Sequence, residues 1–270
     1  MAWILTSECD SLLFSCLDAI GRDEQFDIAR ARLRSGMWLR RPAGCGSCSS
    51  TPSRDMQMGL LLYCLHFRRL DLLDALWDYG WKNNWKMGIE TKPAEEITVP
   101  VLSRLLGWYP RVQNNRTYYT PGLVVLLGAI RAHLRGQKAL RGLLLAIPQP
   151  MSTEPGYVSH LSLLHIYANL RMRGRLTHSE QSSLMRIGKH MEGNPLVAAL
   201  QGEGRKALEL LEKHWPGGLP APKQAWSEPW RLQRSDGDSG LEPDPAASPT
   251  EYHGDGDYLF AQHCVELFCS

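Results

Sequence analysis

The apolar residues of this chain recur at three- and four-residue spacing almost from end to end, and that period commits it to helices. Leu12, Leu13, Cys16, Leu17 and Ile20 form one face, opened by Ser7 and closed by Gly21. Met56, Gly59, Leu60, Tyr63, Cys64 and Phe67 repeat the pattern behind Pro52, with Ser53 as N-cap. A helix over 70–81 follows after a very short link, its inner side carrying Leu72, Leu73, Leu76, Trp77 and Trp81. Helices joined that tightly fold back on each other as an antiparallel hairpin.

The rest of the chain keeps this style. A short helix is expected over 101–106, before the Trp108-Tyr109-Pro110 breaker, and Pro121 opens an apolar helix to about Leu134 with Thr120 as its cap. A Pro-rich link (Pro148, Pro150, Pro155) leads to a helix over 158–172. Short helices over 179–190, 195–201 and 205–214 follow, so that 177–214 reads as a small helical repeat with Leu196, Ala199, Leu200, Ala207, Leu208 and Leu211 in its core. Residues 215–253 form one long irregular stretch rich in Pro, Gly, Ser and Asp, and such a loop is usually functional or disordered. A last helix over 258–268 returns the chain to the core, and only 37–40 reads as a strand. The expectation is an all-α single domain over 1–270. It is built of successive αα-hairpins, roughly ten to twelve helices that stack as a solenoid or close into a complete or incomplete (α/α) toroid.

Composition narrows the function classes. With 270 residues, 43% of them hydrophobic and 21% charged, the chain can bury a large core. A net charge of +2 and scattered basic residues give nucleic-acid binding no support beyond the local arginine run at 30–41, which reads as a solvated helix face. The apolar run 123–130 is too short to span a bilayer. Glu8 and Asp10 interrupt the N-terminal apolar run and no basic segment precedes it, so the chain reads as cytoplasmic, with no membrane partner.

Seven unevenly spaced cysteines make no disulfide framework. Cys9, Cys16, Cys64 and Cys264 read as small core residues. Cys45-Gly-Ser-Cys48 lacks the second ligand pair of a zinc site and the preceding strand of a redox site. The Asp236-Gly237-Asp238 and Asp255-Gly256-Asp257 repeats lack the spacing of a calcium loop, and turn chemistry accounts for them. No metal or cofactor is expected. No P-loop, G-x-G-x-x-G or G-x-S-x-G occurs, which disfavours nucleotide and serine hydrolysis.

What remains is a set of aspartates at helix starts. Asp10, Asp55 and Asp257 each stand in the first turn of an expected helix that is otherwise strongly apolar. Free backbone N–H groups and the positive end of the helix dipole favour a carboxylate there, so capping alone explains each one. As a set they stand at the mouth of a core. Arg54 lies beside Asp55, and the last loop brings Trp230, Asp236, His253 and Asp255 towards Asp257. With Trp38 and Trp85 at expected helix ends, rings and acids together have the composition of a sugar-binding cleft.

Repeated αα-hairpins, acids at inner-helix starts and Trp-rich loops resemble the (α/α) toroids of several glycoside hydrolase and polysaccharide lyase families. The resemblance is architectural and matches no motif residue by residue; 270 residues is also short for six hairpins. It implies an enzyme cleaving a glycan or polysaccharide, with Asp10, Asp55 and Asp257 as acid and base candidates. It also implies substrate contacts from Arg54, Trp38, Trp85, Trp230, Asp236, His253 and Asp255. The competing expectation is a non-catalytic helical-repeat protein that binds a partner protein through a groove lined by Trp and Leu.

Overall fold

A computed structural model describes residues 3, 11–40, 42, 52, 54–83, 85, 119–149, 151–153, 157–191, 193–214, 217 and 253–269; at 11, 157, 190, 214 and 253–257 it describes the backbone alone. The chain is all-α, and among the described residues no strand forms. The strand expected over 37–40 reduces to a single antiparallel bridge between Arg32 and Trp38.

Ten α-helices are described: α1 (Ser11–Arg22), α2 (Arg54–His66), α3 (Leu70–Lys82), α4 (Pro121–Leu134), α5 (Lys138–Ala146), α6 (Tyr157–Arg173), α7 (His178–His190), α8 (Pro195–Leu200), α9 (Gly204–His214) and α10 (His253–Phe268). Local chemistry fixes many of their ends. The Thr120 side chain accepts from the Leu123 N–H, with Pro121 in the first turn of α4. Asn194 does the same for α8 through the Leu196 N–H. At the far end of α1, Asp23 adopts a left-handed φ of 53° while the Glu24 N–H donates to the Ala19 carbonyl at 3.0 Å. That six-to-one bond satisfies a carbonyl the helix would otherwise leave open.

Two elements depart from expectation. The stretch expected to link α4 to the Pro-rich segment contains α5, a nine-residue helix with no buried residue. The last helix begins at His253 instead of near Tyr258, so Asp257 is its fifth residue and lies past the first turn. The helix expected over 101–106 and most of the loop over 215–253 lie outside the described residues.

The core is built on close contact between α1 and α2, which run parallel. Near their starts, a Cβ on Gly59 would come within 2.9 Å of the Leu13 Cα, so the two backbones touch there. Near their ends, His66 Nε2 lies 2.8 Å from Asp23 Oδ1. The last helix returns to the first, with Leu259 of α10 against Gly21 of α1. Tyr167 of α6 packs edge-on to Phe260 of α10, at 4.8 Å between ring centroids. Successive neighbours α1, α2, α6, α8 and α10 thus lead back to α1. Beside this core, α4 packs on α2 and α3, and α5 packs on α4.

Candidate functional site

α6 is mainly apolar, with Leu163, Leu164, Ile166, Tyr167 and Ala168 all buried. Among its polar residues, His165, Asn169 and Arg173 stand four residues apart, and that spacing places them on one face. The tight turn through Gly174, at a φ of 76°, brings the start of α7 back onto that face. There Thr177 and Glu180 form a capping box: the Thr177 hydroxyl accepts from the Glu180 N–H, and the Glu180 carboxylate accepts from the Thr177 N–H.

The carboxylate of this cap is buried and joined to the polar stripe, while Thr177 itself is exposed. Glu180 is 4% exposed and Asn169 3%. Asn169 Nδ2 donates to Glu180 Oε1 at 2.7 Å. The other carboxylate oxygen accepts from Arg173 Nη1 at 2.7 Å, from the Thr177 N–H at 2.8 Å and from the Thr177 hydroxyl at 2.8 Å. Burial alone would raise the Glu180 pKa, but the bonds from Thr177, Arg173 and Asn169 outweigh it and hold the carboxyl below its ordinary value. A second Arg173 nitrogen donates to the Leu145 carbonyl at 3.3 Å, which ties the end of α5 to α6.

Between the stripe, α4, α5 and the link over 147–151 lies a cavity of about 350 Å³. Its apolar wall includes Leu126, Ala129, Leu144, Ile147 and Met151; its polar wall is His165, Asn169, Arg173, Thr177, Ser179 and Glu180, with Gln149 at the link. Burial pushes the His165 pKa down to about 4, with the nearby Glu180 acting against that shift and Arg173 with it. The ring is therefore neutral at pH 7. The direction of the Asn169 amide is set by its bond to a carboxylate, so Oδ1 faces away from Glu180, buried and with no partner among the described residues.

Chemically, this wall is assembled for holding. Glu180 is ionised, so it has no proton to give. Arg173 cancels its charge. His165 binds a proton weakly. Such a site offers a half-open pocket, a balanced charge among its described residues and a neutral ring able to donate from one nitrogen and accept at the other.

Of the residues singled out in the sequence, Arg54, Asp55, Trp38 and Trp85 have described side chains, and none of them lines the cavity. Asp55 is half-buried in the first turn of α2, beside an exposed Arg54. The start of α2 meets α1 at Leu13, whereas α10 meets α1 at Gly21. Eight residues of helix, about 12 Å, separate those two contacts. Asp257 stands two residues from the second contact, on the same helix as His253 and Asp255, whose side chains lie outside the described residues, as do Asp10, Trp230 and Asp236. Trp38 and Trp85, expected as stacking platforms, are 1% and 2% exposed and serve as core. Trp85 packs edge-on to Trp77 at 5.3 Å and lies under Gly80, so it offers no open face to a sugar. Among the described residues, no three His, Cys, Asp or Glu side chains are placed to hold a metal ion.

The sequence carried two signals for the cavity wall. One is the fourfold spacing of His165, Asn169 and Arg173 in an apolar helix; the other is the Thr177-x-x-Glu180 capping box that follows it. In comparisons with known proteins the chain matches no family model, no curated protein and no solved structure.

Proposed function

We propose that the chain is a helical binding protein that takes a small organic molecule into the cavity between α4, α5, α6 and α7 and leaves it chemically unchanged. The observation that carries this reading is the pre-assembled polar wall, in which the buried Glu180 carboxylate is already fully hydrogen-bonded and charge-neutralised. A site poised for acid–base catalysis keeps one titratable group near the working pH, and neither Glu180 nor His165 is held there. A volume of about 350 Å³ falls in the range of small-molecule sites. The test is a fragment screen read by methyl NMR. Hits that shift Leu126, Leu144 and Ile147 together support the reading; hits that avoid these three methyl-bearing residues overturn it.

A second reading, cleavage of a glycan by aspartates at helix starts in an (α/α) toroid, has its own support. α1 and α2 run parallel with their starts side by side, Asp55 occupies the first turn of α2, and the first and last helices pack together. Wild type and Asp55→Asn assayed on a polysaccharide panel, for reducing ends and unsaturated products, test it. Release of product by wild type and its loss in the variant would support the reading; no product from any polymer would reject it.

A further inference from the structure

The cavity wall also specifies what kind of molecule fits, and this inference rests on the binding reading just given. We infer that the ligand is an uncharged molecule with a compact aliphatic body and a single amide- or hydroxyl-type head, seated with that head against His165 and its body against Leu126, Ala129, Leu144, Ile147 and Met151.

Three observations lead there. First, among the described residues the ionic groups lining the cavity, Arg173 and Glu180, are paired with each other at 2.7 Å, and the Glu180 oxygens are occupied by Asn169, Thr177 and Arg173. An anion entering the cavity would meet Glu180 without gaining a free arginine. A cation would meet Arg173 without gaining a free carboxylate. Either would surrender hydration for no counter-charge in a largely apolar pocket.

Second, His165 lines the cavity with no hydrogen-bond partner among the described residues. A neutral imidazole offers one donor and one acceptor, and a primary amide or an alcohol supplies the complementary pair in one small group. Third, Asn169, one turn along the same face, is 3% exposed and keeps Oδ1 unpartnered. A buried acceptor left open is destabilising, and a donor brought by the ligand head satisfies it after a small side-chain adjustment. Among the described residues the aliphatic remainder of the wall carries no aromatic ring, so shape and burial, rather than stacking, hold the body.

Three probes of one shape test this on the whole chain: adamantane-1-carboxamide, adamantane-1-carboxylate and adamantan-1-ylmethylammonium. Dissociation constants come from methyl-NMR titration at pH 7. The expected result is saturable binding of the carboxamide, with both ions at least tenfold weaker. In His165→Phe the carboxamide should lose at least fivefold while an uncharged adamantane lacking a head group keeps its affinity. Ions binding as well as the carboxamide would overturn the ligand class and leave the binding reading standing. Failure of all probes, including the headless one, to shift the methyls of Leu126, Leu144 and Ile147 would overturn the binding reading itself. Because the three-probe comparison uses the unmodified chain, it stands even where His165→Phe does not fold.

Discussion

Asn169 and Glu180 hold the start of α7 against the C-terminal part of α6 through one buried hydrogen bond of 2.7 Å, from Nδ2 to Oε1. The same carboxylate caps its own helix and neutralises Arg173. One side chain therefore sets the angle between two helices, closes a helix end and removes the net charge from the cavity wall.

Removing that carboxylate is expected to be severe. Glu180→Ala leaves Arg173, whose side chain is 18% exposed, without a counter-charge and opens the cap of α7, at a cost of about 3–5 kcal/mol. The pair Arg205 and Glu209, 94% and 64% exposed, is the control: Arg205→Ala should change stability by less than about 0.5 kcal/mol. Urea denaturation of both variants measures the contrast.

Acid should destabilise the fold in two stages. Burial holds His165 and His263 near a pKa of 4, below the ordinary value of 6.5. Between those values the unfolded chain binds more protons than the folded one, so stability falls as pH drops from 6.5 to 4. His165 accounts for on the order of 3 kcal/mol of that fall. Glu180 acts the same way at lower pH: its folded pKa is depressed, so its stabilisation is present above 4.5 and is lost as pH falls through the folded value. Stability against pH should lose much of its upper slope in His165→Leu and keep the lower one.

Two glycines should respond oppositely to alanine. At Gly59 a Cβ would press on the Leu13 backbone at 2.9 Å, and Gly59→Ala should cost about 1–3 kcal/mol by forcing α1 and α2 apart. At Gly142, inside α5, nothing lies within 4 Å of the added carbon. Gly142→Ala should stabilise by about 0.5–1 kcal/mol through helix propensity alone. Thermal unfolding midpoints decide both.

Three cysteines should be inert in the native state. Burial pushes the thiols of Cys16, Cys64 and Cys264 well above their ordinary pKa, and all three have zero exposure. Brief treatment with a thiol reagent, followed by peptide mapping, should leave these positions unmodified until denaturant is added. Rapid native labelling of any of them would contradict the packing of α1, α2 and α10.

The helical class was legible because apolar periodicity and capping chemistry agree in this chain. Thr120 with Pro121 located the start of α4 correctly, and Cys16, Cys64 and Cys264 were recognisable as core from their place in apolar faces. α5 was not legible, since Gly136 and Gly142 break its signal and its Leu140 and Leu143 remain 45% and 66% exposed, leaving little burial to define a face. Asp257 was misplaced within its helix because an Asp-Gly pair reads as a turn, whereas here the helix runs straight through it. The cavity was hidden for a different reason. It depends on α6 and α7 being brought together across Gly174, and on α4 and α5 facing them, which no single window of sequence displays.

The most direct test of the central claim is the methyl spectrum of the whole chain titrated with adamantane-1-carboxamide, beside the cavity-filling variants Ala129→Leu and Ile147→Trp. The expected result is saturable shifts at Leu126, Leu144, Ile147 and Met151 in the wild type, with both variants folded and their response lost. Unchanged binding in the two filled variants, or shifts confined to the starts of α1 and α2, would contradict the account.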